Sequence, residues 1–269
     1  MKIASFNAQR FGLTKVSDPA VLTSLVKLGV IILEVVNVTG DSVRVLVEEL
    51  NGVSITHHYA QQLSTRLGRS RYKEQFLFLY RDDVVDLIDC YQYKDDQVDD
   101  VDAFKREPYI LYFKTHNTGQ SLPLLKLMVP GSNVMILGDF RADGWYLSSK
   151  EREEIHIRSD KNSYWLIGDN VDTRAKTSDH HAYDRIVVYG EDMLAAIVPN
   201  SAKPFNFHKE FQMTEEMGER SLPLVDTQQG FRRAVTGKEQ NTNILYLVPD
   251  RCGKSWDTTQ LRKLDGKFT

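Results

Sequence analysis

The sequence predicts a layered α/β (α+β) domain. Segments with helical spacing come early, and several apolar strand-like runs follow. The composition is ordinary for a globular chain, with 41% hydrophobic and 26% charged residues in 269. A chain of this length buries a sizeable core, and one domain of this class fits it.

The elements follow in order. Lys2 to Phe6 reads as a short strand with Asn7 at its end. Asp18 to Lys27 has helical spacing, with Val21, Leu22, Leu25 and Val26 on one face. Val30 to Val36 is a continuous apolar run that suits a buried strand, and Glu34 sits inside it. Val43 to Leu50 reads as a second helix, His57 to Leu63 as a strand and Leu67 to Arg71 as a turn. Strands are expected at Glu74 to Tyr80, Val84 to Tyr93 and Tyr109 to Phe113. The acidic stretch Asp95 to Asp102 reads as a solvated turn.

Asn133 to Gly138 is a buried strand ending in Asp139. A short strand holds Trp165 and Ile167, and Arg185 to Tyr189 follows Asp184 directly. The last fifty residues change character. Asn243 to Val248 reads as one edge strand, and Asp250 to Thr269 as a polar tail with little core.

Net charge is -3, so no global basic field points to a polyanion partner. That weighs against a high-affinity nucleic-acid scaffold but not against an enzyme, because divalent cations offset local acidity. No run of 18 apolar residues occurs, which argues against a membrane span. The opening residues read as a strand rather than a leader, and Cys90 and Cys252 read as free thiols. Both features point to an intracellular, cytoplasmic or nuclear protein; a mature secreted form with a starting Met fits the N-terminus equally well.

Asn7, Glu34, Glu74, Asp139 and Asp184 lie inside or at the ends of apolar strands. A single strand-end carboxylate is more often a solvated cap. Five such groups suggest one convergent site, since a buried carboxylate is costly unless paired or bound to metal. Hard oxygen donors of this kind suit Mg²⁺, Mn²⁺ or Ca²⁺. Arg106 and Glu107 read either as a surface ion pair or as a phosphate clamp. Of the adjacent His180 and His181, at most one faces the same side as Asp184. His57 and His58 share that ambiguity, and His116, His156 and His208 read as surface residues.

Nine stretches, in this order, carry a resemblance. They are SFNAQRFG at 5–12, IILEVV at 31–36, LGRSRYKEQFLFLYRDD at 67–83 and DVDAFKREPYI at 100–110. VMILGDF at 134–140, SDKNSYWLIGDNVDT at 159–173 and YDRIVVYG at 183–190 continue it. VPNSAKPFNF at 198–207 and TEEM at 214–217 close it. The chain resembles the deoxyribonuclease I-like nucleases, within the wider endonuclease/exonuclease/phosphatase superfamily.

The resemblance implies a four-layer sandwich of two packed β-sheets flanked by helices. It implies a monomer acting on double-stranded DNA, with Mg²⁺ or Ca²⁺ dependence and 5′-phosphate ends. Asn7 and Glu34 are similar to the metal-site pair, with Glu34 the ligand. Glu74 and Asp184 are similar to carboxylates that orient catalytic histidines, and Asp139 to the aspartate of the GDFN element. Tyr72, Arg106, Glu107 and Thr173 are similar to residues that contact DNA or its phosphates.

The sequence also departs from the family. A strand-and-helix unit bearing one catalytic histidine has no counterpart before residue 133, where Leu124 to Gly131 runs almost directly into Asn133. The usual C-terminal strand and its S-D-H element, with the second histidine, are replaced by Glu219 to Pro223. GDFN reads GDFR, so Arg141 stands where the family has asparagine. Gly144 and His181 replace the usual disulfide partners. The expected domain therefore spans 1–220 in incomplete form, with a divergent tail at 221–269. These departures predict weakened hydrolysis. They leave open a catalytically inactive nuclease-fold protein that binds DNA or a protein partner.

Overall fold

The computed structural model describes residues 2–19, 32–38, 42–68, 73, 75–93, 107–116, 134–140, 149–153, 155–173, 181–205, 231–236 and 244–247. Its strands are β1 (Lys2–Phe11), β2 (Ile32–Val38), β3 (Tyr59–Leu63), β4 (Gln75–Arg81), β5 (Val85–Gln92) and β6 (Tyr109–Thr115). They continue with β7 (Val134–Asp139), β8 (Ser163–Trp165), β9 (Asp184–Tyr189), β10 (Lys203–Phe205), β11 (Phe231–Thr236) and β12 (Ile244–Leu247). The helices are α1 (Leu13–Val16), α2 (Ser42–Val53), α3 (Ser149–Glu153), α4 (His156–Ser159) and α5 (Glu191–Ala196).

The strands form two six-stranded sheets. One has the order β10-β11-β1-β2-β4-β3, and the other β5-β6-β12-β7-β9-β8. Alternation along the strands explains how the sheets pack. In β7, Met135 and Leu137 join the core between the sheets, while Val134 and Ile136 belong to a second cluster on the outer face. The inner core also takes Ile3 from β1, Phe76 and Phe78 from β4, Phe113 from β6, and Ile186 and Val188 from β9. Two aromatic pairs bridge the sheets. Phe78 stacks on Tyr109 with centroids 5.7 Å apart, and Tyr80 meets Phe113 edge-on at 5.2 Å. Phe113→Ala should destabilise the protein by about 3–5 kcal/mol, read as a fall in the urea midpoint.

Helices cover the outer faces. α2 buries Val43, Leu46 and Leu50. Its start is tied to β1 where Ser42 Oγ donates to the Phe11 carbonyl at 3.1 Å. Its last turn is tied to β3, because the Asn51 side chain bonds both the N–H and the carbonyl of Tyr59, at 2.8 and 3.0 Å. On the other side, Ile155 and Ile157 pack with Val134, Ile136, Phe140 and Val187. The result is helix, sheet, sheet and helix, which is the four-layer sandwich expected from the sequence.

The C-terminal part differs from expectation. The segment expected as an edge strand is β12, and it lies inside the second sheet. It pairs antiparallel with β6 (Tyr246 opposite Leu111) and parallel with β7 (Tyr246 opposite Met135). The physical reason is backbone satisfaction. β6 and β7 are both buried strands, and buried N–H and C=O groups need partners on both flanks. β11, also drawn from the chain beyond 220, pairs antiparallel with β1 and with β10. The helix expected at 18–27 and the tail at 250–269 fall largely or wholly outside the described residues.

Candidate active site

Asp139 closes β7 and Asp184 opens β9, and the two face each other across the ladder. Both are buried, at 5% and 4% exposure. Gly138, just before Asp139, has φ 140°, a backbone region that side chains beyond glycine rarely adopt. That explains the glycine in the Leu137-Gly138-Asp139 sequence. Across the ladder, the Asp184 N–H donates to Thr173 Oγ1 at 3.3 Å. Thr173 is itself buried and donates from its N–H and its hydroxyl to the His181 carbonyl, at 3.1 and 3.2 Å. One threonine thus holds the chain at His181 and at the Asp184 N–H.

Asn7 and Glu34 lie on the two central strands of the other sheet. β1 and β2 run parallel, with Ser5 opposite Glu34 and Asn7 opposite Val36, and Glu34 faces Phe78 on β4. β1 packs directly on β7 across the sandwich. The strands that carry Asn7 and Asp139 therefore adjoin across the facing sheets. Glu107 is half-buried at the entry to β6. Its carbonyl and that of Pro108 accept from Gln92 Nε2 at 2.9 and 2.8 Å. Tyr72, Glu74, Arg106, Arg141 and His180 lie outside the described residues, as do the side chains of Asn7 and Glu34. Among the described residues, no three metal-ligating side chains gather in one place. The donor chemistry still fits a hard divalent cation, because Asp139 and Asp184 are buried oxygen donors at adjacent register positions.

Three of the described histidines are engaged elsewhere. His57 pairs with Asp83 at 3.3 Å, His58 with Asp82 at 2.7 Å and His116 with Asp86 at 2.8 Å. The hydrogen bond to Asp86 raises the His116 pKa above its ordinary value. A raised histidine stabilises the fold fully below its unfolded pKa of about 6.5, and that contribution fades as pH rises through the folded value. The NMR titration midpoint of His116 should lie above that of a free imidazole and move down in Asp86→Asn. His181 stacks on Tyr183 with centroids 5.2 Å apart.

The sequence reading missed one cluster beside the site. Asp169 receives an ion pair from Arg158, another from Arg185 at 2.8 Å, and a longer one from Arg152 at 3.9 Å. Burial pushes the Asp169 carboxyl up, but the hydrogen bond from Arg158 and the charges of Arg185 and Arg158 outweigh it, so the group ionises below the usual range. Its stabilising contribution is present above the unfolded pKa of about 3.9 and is lost as pH falls through the lowered folded value. The sequence signal was an arginine opening the apolar run RIVVY.

No protein-family model matches the chain. Curated relatives do match. Human "Deoxyribonuclease gamma" is 34% identical over 248 residues, covering 80% of this chain and 81% of its own. "Deoxyribonuclease-1" of Bos taurus is 35% identical, with 81% of this chain and 87% of its own covered. "Deoxyribonuclease-1-like 1" of Bos taurus is 33% identical, with 80% and 75% covered. Among solved structures, an endonuclease/exonuclease/phosphatase from Bacteroides vulgatus covers 88% of this chain and 98% of its own, at TM-score 0.53 and 13% identity. The catalytic domain of human Nocturnin gives 0.53 at 10% identity, covering 88% and 95%. The solved structures share the four-layer fold found here, and the curated relatives share about a third of the sequence across most of both chains. The chain belongs to the deoxyribonuclease-1 family.

Proposed function

We propose that the protein is a divalent-metal-dependent endonuclease that hydrolyses phosphodiester bonds of double-stranded DNA, leaving 5′-phosphate ends, and that its rate is low for its family. The observation that supports this reading is the pair of buried carboxylates, Asp139 and Asp184, facing each other on β7 and β9. Two buried carboxylates at facing register positions are the kind of hard oxygen donor that suits a divalent cation.

Glu34, with Asn7, would hold the ion, which on binding polarises a phosphoryl oxygen and eases deprotonation of water. The chain's own groups do the rest. Asp139 and Asp184 would bring their carboxylate oxygens to that ion's surroundings from facing positions on β7 and β9. Arg106, supported by Glu107, holds a backbone phosphate, and Tyr72 and Thr173 line the DNA path. Glu74, which immediately precedes β4 in sequence, would serve as an orienting carboxylate. Arg141, two residues beyond Asp139 in sequence, would add a cation that holds phosphate. Acid/base groups typically contribute about 10²–10⁴-fold each, so a chain without counterparts to both family histidines would be a slow enzyme.

A second reading, DNA or protein binding without hydrolysis, is supported by the histidines. Three of the described ones are held by aspartates of the 82–86 stretch. Cleaved duplex DNA from a Mg²⁺ reaction should accept a kinase-transferred label only after phosphatase treatment, which marks 5′-phosphate ends. Salt-sensitive duplex binding with no cleaved ends would favour the second reading.

A further inference from the structure

Arg185 is the bulkiest fully buried side chain among the described residues, and it lies outside the proposed hydrolytic chemistry. It points to the outer face of β9, opposite Asp184, as alternation along the strand requires. Its guanidinium reaches two separate stretches of chain. Nε donates to the Ala182 carbonyl at 2.8 Å, two residues before Asp184. Nη1 donates to the Ile167 carbonyl at 2.8 Å, and Nη2 meets Asp169 Oδ1 at 2.8 Å. Both of these acceptors belong to the loop that leads to Thr173.

The same two stretches are laced again at the site, through Thr173 to the His181 carbonyl and the Asp184 N–H to Thr173. Asp169 is braced further by Arg158, and Arg158 and Arg185 both lie over the Trp165 ring, at 5.1 and 5.5 Å from its centre. A planar fork with several fixed donors can hold this arrangement, whereas a lysine supplies a point charge on a flexible stem. A buried guanidinium in turn needs its carboxylate.

We infer that Arg185, braced by Asp169, is a positioning residue that locks the 182–184 segment to the 166–173 loop and so fixes where Asp184 and Thr173 stand. The inference rests on the reading that Asp184 and Thr173 belong to the phosphodiester centre.

The test compares the full chain as wild type, Arg185→Lys, Asp169→Asn and Arg44→Gln, the last a remote surface control on α2. Hydrogen exchange of the Thr173 and Asp184 amides, followed by NMR, reads the lock without reference to activity. Mg²⁺-supported plasmid nicking, resolved into kcat and KM, reads its consequence. Both variants should speed exchange at the two amides by about tenfold or more while β4 amides stay as in wild type. They should lower kcat about 10–100-fold with KM within about threefold, and Arg44→Gln should change neither. Unchanged exchange at Thr173 and Asp184 in folded variants would overturn the inference. Faster exchange with wild-type kcat would overturn it too.

Should Arg185→Lys fail to fold, Asp169→Asn decides alone, since it keeps the side-chain shape. Should the wild type itself not nick DNA, the hydrolytic reading fails separately. The duplex-DNA dissociation constant then decides the inference: a weakening of about fivefold or more in both variants supports it, and unchanged binding overturns it.

Discussion

Asp184→Asn is expected to lower metal-supported plasmid nicking by about 10²–10³-fold while the fold persists. The substitution keeps the shape of the side chain and leaves the Asp184 backbone N–H on Thr173 Oγ1. What it removes is the negative charge, at a position facing Asp139 across the ladder. A group that supplies charge to a reacting centre should show its loss in kcat and not in KM. The check is a nicking time course at several DNA concentrations, with circular dichroism and a thermal melt on the same preparation. A melt shifted by only a few degrees alongside the kinetic loss would place the effect in chemistry rather than in folding.

Tyr246→Pro should lower the melting temperature by roughly 6–12 °C, from a loss of about 3 kcal/mol or more. Tyr246 sits at the middle of β12, bonded to β6 on one flank and β7 on the other. Proline cannot donate to a ladder and is tolerated on edge strands. An edge position for this segment would therefore predict a small effect, and the interior position predicts a large one. Truncation after Gly237 should be more severe. It leaves the facing backbone groups of β6 and β7 without partners, at about 1–3 kcal/mol each, against a total stability of about 5–15 kcal/mol. Loss of a cooperative thermal transition is the expected result.

Much of the sandwich was legible from local pattern. The apolar runs at 76–79, 134–138 and 186–188 are strands because continuous burial on both faces leaves no other reading. Asp139 and Asp184 were legible because a carboxylate beside such a run stands out, and the structure sets the two opposite each other. β12 was misread for a physical reason. Its few residues look the same whether they border solvent or lie between two strands. The choice is made by β6 and β7, both distant in sequence. The Arg185–Asp169 cluster escaped for a related reason. Arg185, Asp169 and Arg158 are spread over three elements, and no spacing in the chain announces that they meet. The short helices α3, α4 and α5 also went unread, since four to six residues carry too little periodicity.

Metal-dependent hydrolysis of DNA would take place at a site shared by Glu34 and the Asp139–Asp184 pair. Nicking of supercoiled plasmid by the purified full chain tests it most directly, with Mg²⁺ and Ca²⁺, then with EDTA, beside Glu34→Ala and Asp184→Ala. Slow nicking that stops in EDTA and falls to background in both variants is the expected result. Nicking that persists in EDTA, or that both variants retain at the wild-type rate, would contradict it.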